Sequence, residues 1–153
     1  FSGREEGLAF AYFDRKGALR SVLAIALGSM TLMSGTAITV AQDAPAVFTS
    51  AQASRGAGLY RQNCLDCHGE NLDDGEFGGA PLRGVAFKEK WFENSVGALV
   101  DFMHGTMPPD RPGRLSDQNY VDLAAYILSR NGIQPGAAEL PTDPDALANM
   151  IIK

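Results

Sequence analysis

Cys64-Leu65-Asp66-Cys67-His68, within the longer stretch "YRQNCLDCHGE" from Tyr60 to Glu70, decides how the rest of the chain is read. The chain has 153 residues and two cysteines, and both cysteines lie in this pentapeptide with a histidine directly after the second. Several chemistries use a C-x-x-C pair. A disulfide across so short a loop removes little entropy from the unfolded chain and stabilises little. A redox dithiol belongs in a strand–helix–strand setting of the thioredoxin kind, and no such pattern follows here. Zinc takes four ligands, and only His68 and the distant His104 are on hand to join two thiolates.

The fourth chemistry fits the whole pentapeptide. C-x-x-C-H is the spacing of covalent haem attachment. Two thiols about one helical turn apart reach the two vinyl groups of one porphyrin. The adjoining histidine then lies over the iron. The motif points to one haem c bound through Cys64 and Cys67, with His68 as the proximal metal ligand.

Composition narrows the setting. Hydrophobic residues make up 45% of the chain and the formal net charge is −5. That is a globular or partly membrane-associated composition, not a disordered one. Lysines and arginines are scattered, without the basic stripe of a nucleic-acid binder. The apolar content is uneven. Residues 21–40, "SVLAIALGSMTLMSGTAITV", carry no charge, with Arg15, Lys16 and Arg20 before them and small residues at Thr39 and Ala41. This reads as a secretory signal over 1–41, cut after Ala41. An uncleaved membrane anchor is the alternative, since a span needs about 20 residues. Either exports the remainder, to the periplasm. Residues 42–52 are expected as a linker, 53–132 as the domain, and 133–153 as a C-terminal tail. A domain this small buries a modest core, and an added group helps hold it.

The other axial position draws on Gly105-Thr106-Met107-Pro108-Pro109. Two prolines stop any helix there, so Met107 sits in a stiffened loop that presents its thioether to the iron from the side opposite His68. His/Met ligation fills both axial positions and raises the reduction potential. Met103 instead continues the apolar face of Val96, Leu99 and Val100 and is read as core. His104 is read as the half-exposed end of the helix that carries this face, with a second histidine ligand as the alternative.

The ordered set Gly56-x-x-x-Tyr60-x-x-x-Cys64-x-x-Cys67-His68-Gly69, Leu82-x-Gly84, Trp91, Met107-Pro108 and a final Tyr120–Leu128 helix resembles the class I c-type cytochromes. The resemblance is to the small periplasmic cytochromes c and the haem domains associated with quinohaemoprotein dehydrogenases, and it covers about residues 53–132. It implies an all-α class I cytochrome c fold, with three to four helices around one covalently bound haem. The first and last helices would cross, with Gly56 against the ring of Tyr126 or Tyr120. Family members often carry Pro-x-Leu-x-Gly, where the proline carbonyl accepts the proximal histidine's Nδ1–H. Here Ala80 fills that slot and the proline is Pro81, so the carbonyl of Ala80, beside Leu82, is the expected acceptor. Trp91 is expected either at a haem propionate or as a plain core tryptophan, Arg83 either as a propionate partner or in solvent, and Phe77 and Phe87 over the haem edge.

The function implied is one-electron transfer in a respiratory chain, not catalysis. The partners implied are a quinoprotein or flavoprotein dehydrogenase as donor and a terminal oxidase or other cytochrome as acceptor. Two alternatives stand beside it: a haem enzyme or gas sensor with an open sixth position, and a cytochrome subunit of a dehydrogenase complex.

Local signals give the elements. Ser50 or Ser54 caps a first helix ending near Asn63, and Asn94 or Ser95 caps a middle helix ending near His104. Ser116 caps a last helix that stops at Asn131-Gly132. Its Tyr120, Leu123, Ala124, Ile127 and Leu128 form one apolar stripe. The segment Asn71–Trp91 is too glycine-rich for a long helix and is expected to loop around the haem edge, with Asp73, Asp74 and Glu76 in solvent. In the tail, Asp143 with Pro144 starts a short helix. Met150, Ile151 and Ile152 are too apolar for a free end and are expected to pack on the domain or a partner. No stretch alternates in the manner of a sheet.

Overall fold

The computed structural model describes residues 44–73 and 75–153. The signal or anchor expected over 1–41 and the acidic residue Asp74 lie outside them. In chain order the elements are β1 (Ala44–Pro45), α1 (Ser50–Asn63), α2 (Leu65–His68), α3 (Val85–Trp91), α4 (Val96–Thr106), α5 (Asp117–Arg130), α6 (Pro144–Ala148) and β2 (Met150–Ile151). The class is all-α. The two strands have two residues each and pair in parallel, Ala44 with Met150 and Pro45 with Ile151. Among the described residues no helix is long and apolar enough to cross a membrane.

α1 and α5 pack directly on each other. α5 starts at Ser116, whose hydroxyl accepts from the amide of Asn119. The stripe of Tyr120, Leu123, Ala124, Ile127 and Leu128 is at most 2% exposed. Each large side chain of that stripe contributes about 1.5–3 kcal/mol by leaving water. Val121, Asp122 and Ala125 are buried as well, because α1 covers a second face. α1 buries Gln52, Gly56 and Tyr60, one residue per turn, and the last two meet α5. Gly56 is required there. A Cβ at this position would overlap the backbone carbonyl of Asp122 and meet the Cβ of Tyr126 at 2.8 Å. The ring of Tyr60 lies 5.3 Å from that of Tyr126, so Tyr126 is the aromatic partner at this contact.

The first cap is neither of the two expected serines. Thr49, in extended conformation, accepts from the amide of Gln52, while Ser54 donates back to the carbonyl of Ser50. Ser95 caps α4 by accepting from Ala98. The glycine-rich segment holds a helix of its own. α3 follows Gly84 and buries Phe87 and Trp91, one turn apart. Apolar spacing in "VAFKEKW" outweighs the glycines upstream of it.

The first and last described segments pack against the α1–α5 pair. The stretch expected as a linker, 42–52, is from Ala44 onward part of the packed body: β1, buried Ala46 and Phe48, and the first residues of α1. Phe48 is 0% exposed, too much apolar surface to leave in a mobile link. In the tail, Leu140, Leu147 and Ile152 are buried. The side chain of Gln52 donates to the carbonyl of Leu140 at 3.1 Å and accepts from its amide at 2.8 Å. Asp143 caps α6 and Pro144 occupies its first turn. Arg55 ties three segments together. It donates to Asp122 on α5 at 2.8 Å and to Glu139 in the tail at 2.8 Å.

Candidate functional site

Cys64, Cys67 and His68 come from the short α2 turn that follows α1. α1 ends at Asn63, the amide of His68 bonds back to the carbonyl of Cys64 at 2.9 Å, and the amide of Gly69 to that of Leu65. Tyr60 donates its hydroxyl to the carbonyl of Gly69 at 2.7 Å, which ties the end of this turn to α1. The glycine-rich loop then folds back over it. Gly79 donates its amide to the carbonyl of Cys67 at 2.7 Å. A Cβ at Gly79 would stand 2.5 Å from that oxygen and 2.9 Å from His68 Nδ1, so no larger residue allows the approach.

That approach sets the histidine. Nδ1 of His68 lies 2.7 Å from the carbonyl oxygen of Ala80. A carbonyl only accepts, so Nδ1 carries the proton, and in the neutral ring Nε2 holds the lone pair. His68 is 7% exposed. The chain thus presents a buried, fixed imidazole with its free nitrogen defined.

A cavity of about 290 Å³ brings the parts together. Cys64, Cys67, His68, Ala80, Leu82, Trp91 and Met107 all line it. Further walls come from Phe87 on α3, Leu99 and Met103 on α4, and Leu123 and Ile127 on α5. Met107 is the C-cap of α4, with its amide bonded to the carbonyl of Met103. Its own carbonyl accepts from the hydroxyl of Tyr120 at 2.7 Å, and that hydroxyl accepts from the amide of Gly113 at 3.1 Å. Tyr120 therefore holds both sides of the loop that carries the methionine. Both thiols are free, and burial pushes that of Cys64 up to about 11.

Two expected participants lie elsewhere, Arg83 and Phe77. Arg83 does not line the cavity. Its guanidinium reaches the carbonyl of Asn71 at 3.4 Å, because the amide of Leu82 pairs with the carbonyl of Leu72 and lays the two segments side by side. Phe77 is 69% exposed. It borders a second, more open hollow that shares Cys64, Cys67, Pro108 and Pro109 with the cavity. The turn closed by the Gly78 amide on the Gly75 carbonyl throws its ring outward. His104 is half-exposed, packed 5.0 Å from the Tyr120 ring, and outside the cavity lining.

Asn131 and Lys90 carried no functional signal in the sequence. Asn131 stood there only as a helix stop. Its side chain donates to the carbonyls of Leu82 and Ile127 and accepts from the amide of Gly84, so it joins the end of α5 to the loop beside the histidine. The Asn-Gly pair after a buried stripe marks its place but not its partners. Lys90 lines the cavity from α3.

The donor set fits a covalently held porphyrin. The site has an apolar slot, two thiols on one turn, an imidazole with an available Nε2 and a thioether. Comparison with known proteins points the same way. Residues 51–127 match the family model described as cytochrome C oxidase, cbb3-type, subunit III. Cytochrome c-551 of Bacillus subtilis (strain 168) is 33% identical over 81 residues, which are 53% of this chain and 65% of that relative's own length. No solved structure matches the chain significantly.

Proposed function

The chain belongs to the family of the cbb3-type cytochrome c oxidase subunit III domain and is a class I c-type cytochrome, and from that premise we propose that it is an exported monohaem carrier whose iron is held by His68 and Met107. Membership implies covalent haem c and haem-based electron transfer. When bound, the haem supplies a reversible one-electron iron couple. The supporting observation is that both cysteines, His68 and Met107 line one apolar cavity.

Each of these residues has a defined task in this reading. Cys64 and Cys67 would hold the porphyrin as thioethers. The Ala80 carbonyl orients His68 and strengthens it as a donor, as partners of ligating histidines do. Tyr120 fixes the backbone that delivers Met107. Leu82, Phe87, Leu99, Leu123 and Ile127 exclude water and leave the exchange to the exposed edge. With His68 and Met107 both given to the iron, the protein would need no substrate pocket and would act as a carrier.

The site of action is the periplasm, with residues 1–41 as a cleaved signal or a membrane tether. The donor is a quinoprotein or flavoprotein dehydrogenase, and the acceptor a terminal oxidase or another cytochrome. Encounters of this kind are small, transient and steered by charge. The net charge of −5 suits a basic face on a partner. A second reading, a haem subunit held within an oxidoreductase complex, is favoured by the family model's description as an oxidase subunit.

The ferric optical spectrum tests the ligand set. A methionine–iron pair gives a weak long-wavelength charge-transfer band, and the ferrous form resists carbon monoxide. A protein that lacks the band and binds the gas readily has an open sixth position, and the carrier reading fails.

A further inference from the structure

Arg83 was the cation expected to meet a propionate, and it lies off the cavity. Lys90 is the cationic side chain that the cavity lining does contain. Its ammonium is not left to wander. It lies 4.2 Å from the ring centre of Phe102 and 5.0 Å from that of Trp91, and both rings line the same cavity. The two rings are themselves packed edge to face at 5.5 Å. A cation over aromatic faces is held by their quadrupoles. Among the described residues no carboxylate stands within ion-pair distance of Lys90. Lys88, two residues earlier on α3, stacks instead on Phe92, and neither residue lines the cavity.

A haem would bring two propionate carboxylates to a slot whose lining is mostly apolar. A charge taken out of water needs a partner. We propose that Lys90, positioned by Trp91 and Phe102, is the counter-ion of a haem propionate and raises the reduction potential. This rests on the haem reading above. Reduction of the iron lowers the charge of the site by one. A neighbouring carboxylate opposes that change, and a fixed ammonium beside the carboxylate offsets it.

The test uses the holoprotein as wild type, K90M, K90R and K88M. The methionine keeps the stem over the rings and removes the charge. Far-UV circular dichroism checks that each variant is folded. The readings are the midpoint potential and the propionate bending band in the resonance Raman spectrum. K90M is expected to shift the potential downward and move the band. K90R restores both towards wild type, and K88M, the same charge change on the same helix, leaves the band in place. A K90M protein with wild-type potential and band overturns the proposal, as does a K88M protein that changes both as much as K90M. A wild-type chain that carries no haem overturns this assignment and the haem reading together, and is seen before any variant is compared.

Discussion

Met107 stands where α4 gives way to a loop, with its carbonyl held by Tyr120 and its side chain on the cavity wall. Met107→Ala should abolish the long-wavelength ferric band, lower the potential and admit carbon monoxide, while leaving the haem attached. An unchanged ferric spectrum in that variant removes Met107 from the iron. Tyr120→Phe keeps the ring and deletes the hydroxyl. It strands the Gly113 amide and the Met107 carbonyl, a loss of about 1–3 kcal/mol if neither finds water. The check is denaturant unfolding of the variant holoprotein together with the intensity of the same band. That Cys64, Cys67, His68 and Met107 would meet at one cavity was legible from type and spacing alone, since C-x-x-C-H and a proline-flanked methionine are local patterns. The positions of Arg83 and Phe77 were not. Their directions follow from the pairing of Leu82 with Leu72 and from the turn at Gly78, and no local pattern announces either.

Helix contacts carry their own tests. α1 holds two glycines with opposite roles. A Cβ at Gly56 overlaps the Asp122 carbonyl, whereas one at Gly58 meets nothing within 4 Å. Gly56→Ala should therefore force α1 off α5 at a cost of about 1–3 kcal/mol or more. Gly58→Ala should stabilise by about 0.5–1 kcal/mol, as a helix interior gains from the exchange. Thermal unfolding of the two variants side by side measures both, and equal effects would contradict the packing described. The contrast between the two positions was only half visible beforehand. The spacing of Gly56 from Tyr60 and the motif suggested a close approach, but the partner atom belongs to a helix more than sixty residues away. α5 was the most readable element, because its stripe, its serine cap and its Asn-Gly stop agree. α3 was the least. Seven residues with two apolar anchors one turn apart look like part of a loop until Phe87 and Trp91 find the cavity wall.

The described body, residues 44–73 and 75–153, is tied together by contacts from its first and last segments. Gln52 pairs with both backbone groups of Leu140, and Arg55 links Asp122 to Glu139. The hydrogen bond from Arg55 holds the Glu139 carboxyl below its ordinary value. The pair therefore stabilises the fold above the unfolded carboxylate's pKa of about 4.3, and that contribution is lost as pH falls through the lowered folded value. It is solvent-exposed, so the effect should be small and weakened by salt. Glu139→Gln should flatten the stability profile on the acid side, read from denaturant midpoints across pH. An acid limb identical to wild type would show that the link contributes nothing. The tail's place over α1 was announced by its apolar end, but its route was not, since hydrogen bonds between residues 52 and 140 leave no local trace. The claim on which the site, the tuning by Lys90 and the carrier role all depend is a porphyrin fixed to Cys64 and Cys67. Whole-protein mass measured after acid–acetone extraction tests it directly. The chain should retain the mass of one haem, and a bare polypeptide mass with the pigment in the solvent would contradict it.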